Sequence, residues 1–145
     1  MAKFPSVKWF KAIQDVANGD ERLRKLGTCD AVMGVKVRDK AFEITFEAFD
    51  CTGVREISEA DLAKTDFYLE ASYETWQEML ENIKQNGKPD RHLTLNTIDF
   101  LAPEGFAKSD DQSKKDAFYR YGQTFQQFFN ASAEIDTEFA VPATT

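Results

Sequence analysis

Asp99 stands between Ile98 and Phe100, a carboxylate set in an apolar run. Turned into an apolar cavity, such a group loses hydration, its pKa rises, and it can accept a proton near neutral pH. Asp66 and Glu70 flank Tyr68 in a second such stretch, where a phenol would supply a hydrogen bond to the substrate. Tyr119 and His92 complete the titratable groups with that potential. A carboxylate base beside a tyrosine donor is the equipment of a small cofactor-independent isomerase or dehydratase acting on an apolar substrate, such as a terpenoid, steroid or polyketide. The spacing nevertheless falls short of an acid–base motif. Asp66, Tyr68 and Glu70 alternate as on one solvated strand face, and His92 follows Pro89-Asp90-Arg91 in a turn. Neither a G-x-S-x-G nucleophile elbow nor a glycine-rich phosphate loop is present. Asp99, Asp66 and Tyr68 are therefore the catalytic candidates if the protein is an enzyme, and the residues lean against one.

The other chemistry available is apolar. The chain holds 13 phenylalanines, and Phe118, Tyr119, Tyr121, Phe125, Phe128 and Phe129 crowd one segment near its C-terminus. Phe118, Tyr121, Phe125 and Phe128 follow the spacing of one helix face, while Tyr119 and Phe129 widen that face beyond the usual stripe. Each buried aromatic removes about 150–250 Å² from water, so six on one helix exceed what a single sheet face readily covers. Three readings stay open for the surplus: core, the wall of an apolar cavity, or a partner surface such as that of a homodimer. Arg120 lies on the other side of this helix, near Lys114, Lys115 and Asp116. Its guanidinium suits the anionic head of a fatty acid or acyl-CoA. Trp76 reads as core by position, yet its indole N–H needs an acceptor.

Composition bounds these readings. At 145 residues, 42% apolar and 30% charged, residues 1–145 read as a single globular domain able to bury a core without metals or disulfides. Acidic residues outnumber basic ones, 25 against 18, which argues against nucleic acid as a partner. No apolar run approaches the roughly 20 residues of a membrane-spanning helix, so no stable membrane insertion is expected. The polar start Met-Ala-Lys-Phe-Pro-Ser lacks the pattern of a secretory signal, and a cytoplasmic location is the default. Two cysteines, Cys29 and Cys51, and one histidine are too few for a structural zinc site. No metal or cofactor is expected, and both thiols read as ordinary half-buried groups.

The elements that must position these groups follow from periodicity. Pro5 and Ser6 open a helix with Trp9, Phe10, Ile13, Val16 and Ala17 on one side, stopped at Asn18-Gly19. Asp20 caps a short helix with Leu23 and Leu26 that Gly27 ends. The period then changes to two: Met33, Val35 and Val37, then Phe42, Ile44, Phe46 and Ala48, predict a β-hairpin with one wet face, broken at Cys51-Thr52-Gly53. Val54 to Ile57 forms a short extension before a polar linker. A third strand runs from Asp66 to Ala71 into a helix capped by Ser72, with Tyr73, Trp76, Leu80 and Ile83 as its stripe and Asn86-Gly87 as its stop. His92 to Phe100 reads as a strand with apolar groups on both faces, and Pro103 to Asp111 as a loop before one long aromatic helix. Residues 136–145 read as a loosely ordered tail. The order predicts an α+β fold, a mostly antiparallel sheet with helices on one face.

The strand pair Val32-Met33-Gly34-Val35-Lys36-Val37 and Ala41-Phe42-Glu43-Ile44-Thr45-Phe46, with Asp66-Phe67-Tyr68-Leu69-Glu70-Ala71-Ser72 passing into Trp76-Gln77-Glu78-Met79-Leu80, resembles the sterol carrier protein 2 family. The likeness spans about a third of the chain in sequence. It implies a five-stranded sheet covered by helices, with a hydrophobic tunnel that holds a fatty acid, acyl-CoA, sterol or similar lipid. Phe125, Phe128 and Phe129, with Trp76 and Phe46, would form the tunnel wall. The protein would then bind and transfer a hydrophobic small molecule without altering it.

Overall fold

The computed structural model describes residues 2–87, 89–90, 94–101, 106–109 and 111–139. Strand β1 (Ala2–Phe4) leads into helix α1 (Val7–Asn18), whose N-cap Ser6 accepts the Trp9 N–H and whose Trp9, Phe10, Ile13 and Ala17 are buried. A single helical turn, α2 (Glu21–Arg24), is capped by Asp20, and Gly27 follows in the left-handed region at φ 98°. Strands β2 (Ala31–Val37), β3 (Lys40–Glu47) and β4 (Asp50–Ile57) then form an antiparallel meander. A 3-10 turn at Glu59–Lys64 carries the chain to β5 (Phe67–Glu70). Helix α3 (Tyr73–Asn86) follows, with Ser72 accepting the Thr75 N–H and Gly87 closing it at φ 80°. After it come α4 (Leu95–Leu101), β6 (Ala107–Lys108), α5 (Gln112–Arg120), α6 (Gly122–Asn130), a 3-10 turn (Ala131–Glu134) and β7 (Thr137–Phe139).

The main sheet has five strands in the order β4-β3-β2-β5-β6. It is mixed, where a mostly antiparallel sheet was expected: β5 joins β2 in parallel, with Val35 opposite Leu69, because the chain crosses from β4 to the far side of β2 before β5 begins. The α+β class itself holds. Met33, Val35, Phe42, Ile44, Phe46, Phe67 and Leu69 point to the helical side and are buried, as their period-two alternation requires. Val32, Gly34, Lys36, Glu43 and Tyr68 fall on the other face. There Glu43 on β3 pairs through both oxygens with its cross-strand neighbour Arg55, at 2.9 and 3.1 Å.

Four local expectations are corrected. Residues Leu95–Leu101 are helical, not extended: Leu95 and Ile98 are three apart, and the Thr94 hydroxyl and carbonyl accept the N–H groups of Thr97 and Ile98. The mixed alternation of that stretch is a helical period cut short, and His92 lies outside the described residues. The expected hairpin turns at Arg38-Asp39, and a second one, β3–β4, turns at Ala48-Phe49, where Ala48 adopts φ 55°; Cys51 to Gly53, expected to break the strands, belongs to β4. The aromatic segment is two helices, broken at Tyr121 (φ −108°, ψ 22°). A straight helix cannot aim so wide an arc of rings at one sheet. The break lets Phe118 pack on Phe67 while Phe125, Phe128 and Phe129 turn inward, and Tyr119 is left 52% exposed. The C-terminal stretch joins the fold through Phe139: β7 pairs in parallel with β1, the Trp9 indole N–H donates to Thr137 Oγ1 (2.9 Å), and Lys84 Nζ donates to the carbonyls of Ala133 and Ile135. Only residues 140–145 of the expected tail lie outside the described residues.

Cys29 and Cys51 are both buried, more deeply than expected. Burial pushes each thiol up to about 12, and Asp30, Asp66 and Cys51 add to the effect at Cys29. Thiols of the unfolded chain ionise near about 8.5. The folded protein thus holds protons that the unfolded chain releases, so the stability these groups contribute is whole below about 8.5 and is lost as pH climbs from there toward about 12. We expect the urea midpoint to fall between pH 7.5 and pH 10, and a Cys29→Ala, Cys51→Ala double variant to show a shallower fall. An unchanged slope in that variant would refute the assignment.

Candidate functional site

The sheet and the helices enclose a layer of fully buried rings. Phe46 on β3 meets Phe125 and Phe128 of α6 with centroids 5.3 and 5.2 Å apart, and Phe128 meets Phe129 at 5.5 Å. Phe129 in turn lies 5.6 Å from Trp76 of α3, which also meets Phe106 at 5.3 Å and Phe4 at 6.2 Å. Three of these six pairs are edge-to-face, an arrangement that ring quadrupoles favour, and the other three are tilted. The five residues expected to form one wall are thus brought into a single connected chain of rings, each at most 2% exposed. They touch one another. Phe4, Phe67 and Phe106 belong to the same layer, though none was expected in its wall. Alternation with Tyr68 already puts Phe67 on the apolar face of its strand, whereas nothing local marks Phe4 or Phe106.

Two polar side-chain atoms in the buried interior have no hydrogen-bond partner among the described residues: Trp76 Nε1 and Ser132 Oγ. Trp9 provides the contrast, since its indole N–H reaches Thr137. A buried N–H without an acceptor costs about 1–3 kcal/mol, so Trp76 stands out against the general rule.

The ring layer approaches the surface beside α3. Phe139 of β7 packs on Phe4 with centroids 6.2 Å apart, and Leu80 lies one turn along α3 from Trp76. Leu80 and Phe139, with Glu81, Lys84, Gln85, Asp136 and Thr137, line an open cleft of about 300 Å³. This volume is at the lower end of the range for small-molecule sites. Lys84 is committed within it, donating to two carbonyls and lying 3.5 Å from Asp136.

The remaining candidates lie elsewhere. Arg120 is exposed at the end of α5, its guanidinium 5.9 Å from the Tyr121 ring, in a surface cleft with Leu26 and Tyr119. None of the ring-layer residues lines that cleft. Asp99 sits on α4, where Oδ1 accepts the N–H groups of Phe106 and Ala107 (2.8 and 2.9 Å) and Oδ2 accepts the Tyr119 hydroxyl (3.0 Å). Burial and then this carboxylate raise the Tyr119 pKa. Both oxygens of Asp99 therefore fasten β6 and α5 to α4. Asp66 pins β5 to β2, its Oδ2 accepting the Val32 N–H (2.8 Å). Tyr68 lies on the outer sheet face, in a cleft with Lys36, Glu59 and Lys108. Next to it, burial pushes the Glu70 carboxyl up, but hydrogen bonds from Lys108 and Lys36 (3.0 and 3.1 Å) outweigh it and hold the group below the usual range.

No protein-family model matches the chain, and no curated protein or solved structure matches it significantly. Among the described residues no helix is long and apolar enough to cross a membrane.

Proposed function

We propose that this protein binds a hydrophobic small molecule, in the manner of the sterol carrier protein 2 family, and carries it without chemical change. The observation that carries this reading is the run of rings from the cleft inward: Phe139, Phe4, Trp76, Phe129, Phe128, Phe46 and Phe125. Apolar contact is non-directional and tolerates many chain shapes, so such a surface suits a lipid better than a substrate needing fixed orientation. A ligand entering at Leu80 and Phe139 passes between α3 and the two-stranded β1–β7 ribbon, and it parts rings that otherwise cover one another. Binding at about 25 cal/mol per Å² of buried apolar surface supports micromolar affinity for a long alkyl chain, even after the entropy of association. The carboxylates considered for catalysis have structural partners, which favours the carrier over the isomerase.

The test is native mass spectrometry of protein freshly purified from cells, with organic extraction of what is released. A carrier yields a stoichiometric lipid, and titration of the stripped protein with a long-chain lipid quenches tryptophan fluorescence to saturation. Phe139→Asp, at a half-buried position on the cleft, should abolish that saturation while leaving the far-ultraviolet circular dichroism intact. Protein that comes out empty and shows no saturable quenching would sink the proposal.

A further inference from the structure

The unpartnered Trp76 N–H says which lipids suit the layer, an inference that rests on the carrier reading above. Trp76 is 1% exposed, lies among Phe4, Phe106 and Phe129, and directs a hydrogen-bond donor into surroundings that supply no acceptor among the described residues. We propose that the bound molecule is a neutral oxygenated lipid, an alcohol, ketone or ester, whose hydroxyl or carbonyl oxygen accepts the Trp76 indole N–H. Either oxygen removes the cost of the unpaired donor, whereas a plain hydrocarbon leaves it unpaid.

Charge selects against a carboxylate in that place. The cleft between α3 and β7, which reaches Leu80 one helical turn from Trp76, carries Glu81 and Asp136 against one lysine, and the ammonium of Lys84 already serves Ala133 O, Ile135 O and Asp136. An anionic head entering there meets two like charges and no free cation among the lining residues. Buried against Trp76, it would exchange its hydration for one neutral donor, a poor substitute for an ion. Arg120, the guanidinium best suited to a fatty-acid head, lines a different cleft with Leu26 and Tyr119.

The experiment titrates stripped, full-length protein with 1-hexadecanol, hexadecane and palmitate at pH 7.5 by calorimetry, and repeats the series with Trp76→Phe. One net neutral hydrogen bond corresponds to about three- to tenfold in affinity. The alcohol should bind the wild type tighter than the hydrocarbon by that factor, with palmitate weaker than the alcohol. Trp76→Phe should erase the margin between alcohol and hydrocarbon, whatever it does to both affinities in common. Because Trp76→Phe also trims a packed core, the wild type supplies an independent readout: the Trp76 indole ¹H–¹⁵N resonance should move downfield with hexadecanol and stay near its place with hexadecane. The Trp9 indole, already bonded to Thr137, serves as internal reference. An alcohol-to-hydrocarbon ratio of one, palmitate binding as tightly as the alcohol, or an unmoved Trp76 resonance overturns the inference while leaving the carrier reading in place. If none of the three probes binds, the carrier reading fails and takes this inference with it.

Discussion

Phe128→Ala is expected to lower the unfolding free energy by about 3–5 kcal/mol, among the largest losses any single substitution will cause here. The ring is fully buried and touches Phe46 on the sheet and Phe129 on its own helix, so its removal deletes apolar burial and opens a void between layers. Urea unfolding followed by circular dichroism reads the loss as a lower midpoint at unchanged slope. The same void distinguishes a ligand site from plain core. If the ring layer admits an alkyl chain, saturating hexadecanol should restore part of the lost stability, since a molecule that binds only the folded state stabilises by mass action. A variant destabilised as expected but indifferent to ligand would mark Phe128 as core alone. Phe46→Ala should not add in full to Phe128→Ala, because the two rings share one contact.

Gly34→Val is the second large effect, and it acts through the opposite face of the sheet. A Cβ at Gly34 would lie 2.7 Å from Tyr68 Cβ and 2.8 Å from Leu62 Cδ2, with Thr65 Oγ1 at 3.3 Å. Those separations are inside van der Waals contact, and Tyr68 Cβ is fixed by the parallel pairing of Gly34 with Tyr68. Overpacking of this kind costs about 1–3 kcal/mol, and the valine methyl groups enlarge the clash. Either β5 or the 3-10 turn Glu59–Lys64 must withdraw from β2. Gly53→Val is the matched control. It too lies on a strand, but its nearest neighbours would be Thr45 side-chain atoms at 3.7 and 3.8 Å, ordinary contact, so it should be neutral within about 0.5 kcal/mol. Equal midpoints for the two variants would show that the turn does not clamp the sheet through Gly34.

What was legible in the sequence is what local periodicity and capping dictate. Trp9, Phe10 and Ile13 on α1, Tyr73, Trp76, Leu80 and Ile83 on α3, and the alternation of β2 and β3 each follow from a repeat that one element satisfies by itself. Ser6, Asp20 and Ser72 do cap the helices they precede, because a side-chain oxygen there meets N–H groups the helix leaves unpaired. The membership of Phe46, Trp76, Phe125, Phe128 and Phe129 in one inner layer was also readable, since all are large, apolar and on inward faces.

The rest depended on partners distant in the chain. Helix α4 looked like a strand because one helical turn and a short alternating run put apolar residues at similar intervals, and only the Thr94 cap and the acceptor Gln126 Oε1 for the Leu95 N–H decide between them. The parallel β2–β5 pairing, the break at Tyr121 and the β1–β7 ribbon are set by which surfaces remain uncovered once the meander has formed. A three-residue strand such as Thr137–Phe139 has no periodicity of its own and exists because Ala2–Phe4 is there to pair with it. The fate of each polar group was decided in the same way. Sequence places Asp99 in an apolar run and Trp76 on a buried stripe, but hydrogen-bond satisfaction is a property of three-dimensional neighbours. The tertiary structure alone gave Asp99 its three donors and left the Trp76 N–H with no acceptor among the described residues.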